Sequence, residues 1–340
     1  MGHPPVSDPG APRVIFVGAG MVADLHHRAV RLAGHLELAG VHDTDVDRAA
    51  GRAREWGVRR YDSLDDVLAD ADVDAVVVLT PVRTHERIAA AALGAGKHVL
   101  VEKPVGTPGE IRRLADLAER VSRVCMPGHN YAYQPEFLTI RRLVLDGDLG
   151  TPRAAWITYV IRHPEHVAER YGGVLDDVMV HHAYLAQALF GTPVSVQAGR
   201  PETGWRHHPA EDQAWMTLEY AGGLTVHAFA TFAVDDDTSD PWMFVVKVLG
   251  TRGGATYNWR DAIFRRPIGT LDVAVPAYED SYLHEQAAFA AAVRGNADAV
   301  VSPLAHALAA EELLAAARRA DEGGVRVPLS TDPQPEGRRP

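Results

Sequence analysis

Up to about residue 127, short apolar runs of β type alternate with longer stretches in which apolar residues recur every three to four positions. The short runs, at 13–17, 36–42, 74–79, 98–101 and 123–126, are predicted strands. The stretches between them, 22–33, 46–56, 84–95 and 108–121, are predicted helices. Strands separated by helices of this length imply right-handed βαβ units and a doubly wound parallel sheet. Beyond 127 the pattern changes. Helices are predicted at 135–145 and 174–190, with a strand at 154–161 between them. Mostly β runs follow, at 194–199, 214–220, 224–232, 243–249 and 255–259, with a hairpin signal at Ala221-Gly-Gly223. Strands joined directly are expected to pair antiparallel. Helices at 281–293 and 303–321 close the pattern. The predicted organisation is a flexible tail (1–12), a Rossmann domain (13–127), an α+β domain with an open, mainly antiparallel sheet (128–329) and a second tail (330–340).

Composition narrows the function classes. With 46% hydrophobic and 23% charged residues, the 340-residue chain is of ordinary globular type. A formal charge of −11 argues against a nucleic-acid binder, which needs a basic surface for phosphates. The lone Cys125 lies in an apolar stretch and is expected to be a buried, inert thiol. No signal peptide and no apolar run near the roughly 18 residues of a membrane span is evident, so a cytoplasmic protein without membrane partners is expected. Histidine is abundant at 17, with pairs at His26-His27, His181-His182 and His207-His208. Adjacent helical histidines point in different directions and no Cys or Glu stands at ligand spacing, so no metal site is expected. Asp235-Asp-Asp237 is read as a solvated loop.

The candidate chemistry lies where strands end. The run 13–17 leads into Gly18-Ala-Gly20-Met21-Val22-Ala23 and a helix. Its glycines permit a tight turn and close approach of backbone to a pyrophosphate, with the helix N-terminus beneath it. Asp43 ends the second strand, where a carboxylate accepts from ribose hydroxyls and repels a 2′-phosphate; NAD is favoured over NADP. Thr80 and Pro81 end a third run, with His85 on the helix that follows. The run 98–101 stops on Glu102-Lys103-Pro104. In a parallel sheet all these residues share the carboxyl edge, where open α/β sheets bind ligands. Lys103 is the first candidate for a catalytic group.

The order GAGMVA, Thr80-Pro-x-x-x-His85, Glu102-Lys-Pro104 resembles the Gfo/Idh/MocA oxidoreductases, and Gly128-His-Asn130-Tyr and Gly172-Gly-x-Leu-x-Asp177-x-x-x-His181 extend the resemblance over most of the chain. The resemblance implies a Rossmann domain followed by an α+β domain whose sheet is an oligomer interface in a homodimer or homotetramer. It also implies that Lys103 stands beside the nicotinamide with a cis Lys–Pro bond, and that Asp177 and His181 join it as catalytic residues. Asn130 is a candidate for the nicotinamide edge or the substrate. Arg162 and His163 fall where inositol dehydrogenases have polar substrate ligands. Tyr184 falls where those enzymes have an Asp that binds the polyol, which argues against free inositol. Met179 replaces a frequent Gly, and Ala132 a frequent Arg.

Asp177 and His181 are four apart, so a continuous helix places them on one face, one turn apart. The expected reaction is NAD-dependent oxidation of a secondary ring hydroxyl of a sugar, glycoside or cyclitol to a ketone. In one arrangement His181 takes the proton and Lys103 stabilises the alkoxide; in the other Lys103 is the base. Two alternatives stand beside this reading. One is a reductase of a keto-sugar, free or nucleotide-linked, for which Arg162, Arg170 and Arg206 are available to a diphosphate. The other is a non-catalytic NAD sensor on the same fold.

Overall fold

The computed structural model describes residues 10–162, 172–201, 211–233, 242–259 and 276–329. They fall into two compact units, Met1–Leu138 with Ala274–Leu308, and Thr139–Val273 with Ala309–Pro340. The first unit runs on to Leu138, past the expected boundary at 127, and takes in a later segment. The helix Pro276–Val293, expected with the second half of the chain, belongs to the first unit, where its polar residues meet His26 and Asn130.

The first unit contains strands β1 (Arg13–Val17), β2 (Glu37–His42), β3 (Arg59–Arg60), β4 (Ala75–Val78), β5 (His98–Glu102) and β6 (Cys125–Gly128). Every pairing is parallel, in the order β3-β2-β1-β4-β5-β6, which is the dinucleotide-binding order with its reversal between β1 and β4. The strands read as continuous apolar runs because both faces are covered. Ile15, Val76 and Val99 have no exposure and pack with Ala89, Ile111 and Leu114 of the covering helices. Each such aliphatic side chain contributes about 1.5–3 kcal/mol when fully buried. Two elements escaped the sequence pattern. β3 is a two-residue exposed strand, and the helix Leu64–Ala69 is short but carries a capping box, Ser63 with Asp66.

The second unit holds a seven-stranded sheet of β7 (Pro152–Ile161), β8 (Ser195–Gly199), β9 (Gln213–Glu219), β10 (Thr225–Thr231), β11 (Trp242–Gly250), β12 (Gly254–Asn258) and β13 (Val327–Pro328), ordered β12-β11-β7-β10-β9-β8-β13. The sheet is mixed. β7 and β10 pair in parallel, because helices and two further strands intervene between them, and all other pairs are antiparallel as expected. The β9–β10 hairpin turns through Gly222 and Gly223, both at positive φ. Alternation is strict in β9 and leaves Trp215 and Thr217 half-buried opposite the buried Ala214, Met216 and Leu218. Against the sequence expectation, one stretch, Ala297–Gly323, is long and apolar enough (mean hydropathy 1.3) to meet a length-and-composition test for a membrane span. Its buried residues, Leu304, Ala307, Ala310, Leu313, Leu314 and Ala317, recur at helical spacing, and it carries Glu311, Arg318 and Asp321, a pattern of an amphipathic core helix.

Candidate active site

Parallel register brings the carboxyl ends of four strands level. Val17 is paired with His42 on one side and Val78 on the other, and Val78 with Val101. One residue further on stand Asp43, Gly18, Leu79 and Glu102, in that lateral order. Gly18 donates its N–H to His42 O (2.8 Å), and Leu79 donates to Val17 O (2.8 Å).

Gly18 has φ +106, and a Cβ there would lie 2.5 Å from Leu79 O; neither the conformation nor the space admits a side chain. Gly20 is the opposite case, since a Cβ would find no protein atom within 4 Å. That open space lies at the N-terminus of the helix Met21–Ala33, whose N-cap is Gly20 and makes no side-chain cap bond. Met21 is exposed and Val22 half-buried. The turn therefore has the shape and the dipole that a pyrophosphate requires. Asp43 is fixed beside it. Its Oδ2 accepts from Ala19 N (2.8 Å) and from Arg48 Nη1 (3.3 Å), and its Oδ1 accepts from Asp45 N (2.8 Å). Arg48 was not singled out in the sequence, because it lies six residues past the end of β2.

Thr80 and Pro81 continue β4 at the same edge, and the Thr84 hydroxyl donates to Thr80 Oγ1 (2.8 Å). His85, expected among the cofactor contacts, is 2% exposed, with its ring nitrogens facing Thr80 O (2.6 Å) and Pro104 O (2.9 Å). It is a bridge between the two turns, and it shapes the site through them. The Lys103–Pro104 peptide is cis, as the resemblance implies. Glu102 is buried, accepting from Lys103 N at Oε2 (3.0 Å) and bonded to His26 Nε2 at Oε1 (2.9 Å). Burial opposes its charge. The His26 hydrogen bond and the positive charge of Lys103 outweigh burial and hold the carboxyl below its ordinary range. Asn130 is buried and spends an amide hydrogen on Ser281 Oγ (2.8 Å).

In the second unit the segment carrying Asp177 and His181 is not one helix. A short helix, Val174–Asp177, ends at Val178 (φ −112), and a second, Met179–Phe190, begins after it. The His181 N–H bonds Val178 O, three residues back, so the helical phase tightens there. The continuous helix expected to carry Asp177 and His181 is thereby corrected to two helices that meet at Val178. Asp177 Oδ2 accepts from Gly172 N, while His181 Nδ1 lies 2.6 Å from Tyr184 Oη. Tyr184, expected to contact substrate, has no exposure. It is a packed partner of His181.

Glu211, which the sequence did not mark, serves the short helix as a cap. Its Oε1 accepts from Leu175 N (2.8 Å) and its carbonyl from Val174 N (3.2 Å). Gly173, at φ +131, leaves the room for this, since a Cβ would lie 2.6 Å from that carboxylate. Arg318 donates to Asp176 on the same helix. Arg162 follows the end of β7 and is exposed, whereas His163, Arg170 and Arg206 lie outside the described residues, as do His207, His208 and Asp235–Asp237. Among the described residues no cluster of three or more His, Cys, Asp or Glu has metal-binding geometry. Cys125 is buried, and burial pushes its thiol up to about 12.

A parallel sheet of this order, with the glycine turn and the Asp43 carboxylate at its carboxyl edge, is that of a dinucleotide-binding domain. The model of the oxidoreductase family with NAD-binding Rossmann fold matches residues 12–129, and that of the GFO/IDH/MocA C-terminal domain matches 137–256. The chain belongs to the Gfo/Idh/MocA family and is an NAD-dependent oxidoreductase acting on CH–OH donors. It is 34% identical over 221 residues to an inositol 2-dehydrogenase of Saccharopolyspora erythraea, a match covering 63% of this chain and 64% of that one. It is 29% identical over 303 residues to a dTDP-3,4-didehydro-2,6-dideoxy-alpha-D-glucose 3-reductase of Streptomyces violaceoruber, covering 83% and 86%. Among solved structures, GenD2 from gentamicin A biosynthesis in complex with NAD superposes with a TM-score of 0.79 at 26% identity, over 97% of this chain and 99% of that one.

Proposed function

We propose that the protein oxidises a secondary ring hydroxyl of a sugar, glycoside or cyclitol to the ketone. The observation that carries the reading is the single sheet edge on which the glycine turn, Asp43, Thr80 and Glu102-Lys103 stand level. Gly18 and Gly20 bring backbone donors to the pyrophosphate, and Asp43 takes the ribose hydroxyls. NAD, when bound, supplies the hydride acceptor for the carbinol carbon. Lys103 donates a hydrogen bond to the reacting oxygen and stabilises the alkoxide as it forms. His181 takes the hydroxyl proton at Nε2; its Nδ1 is occupied by Tyr184, which orients the ring. Arg162 and His163 are the substrate contacts on this reading. The buried Tyr184 in place of a polyol-binding Asp favours a sugar or glycoside over free inositol.

The reverse reaction, reduction of a keto-sugar, uses the same groups with the proton flow inverted. It is favoured as the second reading by the extent of the match to the dideoxyglucose 3-reductase. We assign the open face of the second sheet, with Trp156, Trp215 and Phe229 half-buried on it, to contact between copies in a homodimer or homotetramer. The test is nicotinamide absorbance with NAD and a panel of sugars, glycosides, aminoglycosides and cyclitols. Turnover that disappears in Lys103→Ala with NAD affinity intact is the expected result. Tight NAD binding with no turnover of any alcohol or ketone would replace the reading with that of a sensor.

A further inference from the structure

His26 and Gln286 are 260 residues apart and meet beneath Glu102. Gln286 Nε2 is 3.0 Å from the His26 carbonyl oxygen and 2.9 Å from His26 Nδ1. A carbonyl only accepts, so the group facing it is the amide NH2, and the second hydrogen of that group points at Nδ1. Nδ1 is then an acceptor, and the ring proton sits on Nε2, 2.9 Å from Glu102 Oε1. The other Glu102 oxygen accepts the Lys103 backbone N–H. Tyr282 packs edge-on to the imidazole at 5.0 Å between ring centres, and Phe16 does so at 6.1 Å. His26 has no exposure and Gln286 1%.

We infer that Gln286 and His26 are positioning residues for the reaction, acting through Glu102 on the peptide that bears Lys103. Gln286 sets the imidazole tautomer, His26 donates to Glu102, and Glu102 holds the Lys103 N–H. The inference rests on the proposed role of Lys103 at the reacting oxygen. The groups facing Glu102 are His26 from the first helix, Lys103 on its own strand, and Tyr282 and Glu285 from the helix Pro276–Val293. Glu285 is buried with neither carboxyl oxygen hydrogen-bonded to protein. Its burial, together with the charge of Glu102, pushes its carboxyl well above the ordinary range. The two carboxyls are thus split, Glu102 the anion and Glu285 the acid. Loss of the His26 donor removes part of what favours the anion, leaving Lys103, and lets Glu102 take up a proton at higher pH.

The experiment has a spectroscopic and a kinetic arm. In the wild-type protein, 15N resonances of His26, assigned by their absence in His26→Gln, are expected to show Nε2 protonated and Nδ1 bare at neutral pH. In His26→Leu, kcat is expected to fall about tenfold, with its acid limb displaced to higher pH and NAD affinity kept. His26→Gln, which retains an NH2 near the Nε2 position, is expected to return the limb toward wild type. Gln286→Leu is expected to give mixed tautomers at His26. A protonated Nδ1 in the wild type overturns the inference. So does a His26→Leu enzyme with an unmoved limb, or a Gln variant no better than the Leu variant. If the wild type turns over no alcohol or ketone, the proposed function has failed, and the nitrogen resonances still decide the tautomer.

Discussion

The Tyr184 hydroxyl lies 2.6 Å from Nδ1 of His181, three residues earlier on the same helix, with both side chains buried. For Nε2 to take a proton it must begin bare, so Nδ1–H donates and the tyrosine oxygen accepts. Tyr184→Phe keeps the ring that fills the core and deletes the hydroxyl that faces Nδ1. We expect kcat to fall about tenfold, the equivalent of one hydrogen bond of roughly 1–1.5 kcal/mol. Steady-state kinetics checks this, with little change in KM for NAD; wild-type kcat would remove Tyr184 from the mechanism.

On the proposed reading Asp43 sets the coenzyme preference, and Arg48 stands beside it. In Asp43→Ala the Arg48 guanidinium loses its bond to Oδ2, which frees Nη1 for a 2′-phosphate while Nη2 stays on Asp45 (2.8 Å). The kcat/KM ratio of NADP over NAD is expected to rise by at least about tenfold, corresponding to about 1.4 kcal/mol. A parallel assay with both cofactors reads it directly. The double variant Asp43→Ala/Arg48→Ala should lose most of that gain.

The two glycines of the first turn are predicted to fail differently. Gly18→Ala places a Cβ against Leu79 O and forces a positive φ on alanine, at a cost of about 1–3 kcal/mol, so the melting temperature drops with or without NAD. Gly20→Ala meets no protein atom, so it should melt as the wild type does and lose NAD affinity alone. Calorimetry of binding beside thermal melting separates the pair.

Glu311 makes stability fall with pH. Burial raises its carboxyl to about 7 from 4.5, with Asp176 adding to the shift and Arg318 opposing it. The native state therefore keeps a proton that the unfolded chain releases. Stability contributed by that proton is full below about pH 4.5 and is lost as pH rises through about 7. Glu311→Gln removes the titration. It should gain about 1–2 kcal/mol over wild type at alkaline pH and nothing at pH near 4.5, discounted for the partial exposure of the site. Denaturant melts at the two pH values measure the difference.

Much of the sheet edge was legible in the chain itself, because apolar runs that stop on Gly18, Asp43, Thr80-Pro81 or Glu102-Lys103-Pro104 mark where buried strands surface. The position of His85 was legible but its job was not, since only the fold reveals that carbonyls of two turns face its ring. The break at Val178 left no trace, because apolar residues continue through it without a proline or glycine. His26 read as half of a histidine pair. Its partner Gln286 lay in a stretch that continued the texture of the second half of the chain, and nothing local ties the two. The parallel pairing of β7 with β10 was hidden for a related reason: strand direction follows from connections that run through several elements.

The return of Ala274–Leu308 to the first unit bears on synthesis. Until that segment leaves the ribosome, His26, Asn130 and His129 wait without Gln286, Ser281 and Ser302, the side chains that satisfy them in the folded protein. The nucleotide-binding half begins first and finishes nearly last. A fragment cut after the sixth strand would be a sheet with its buried polar side unsealed.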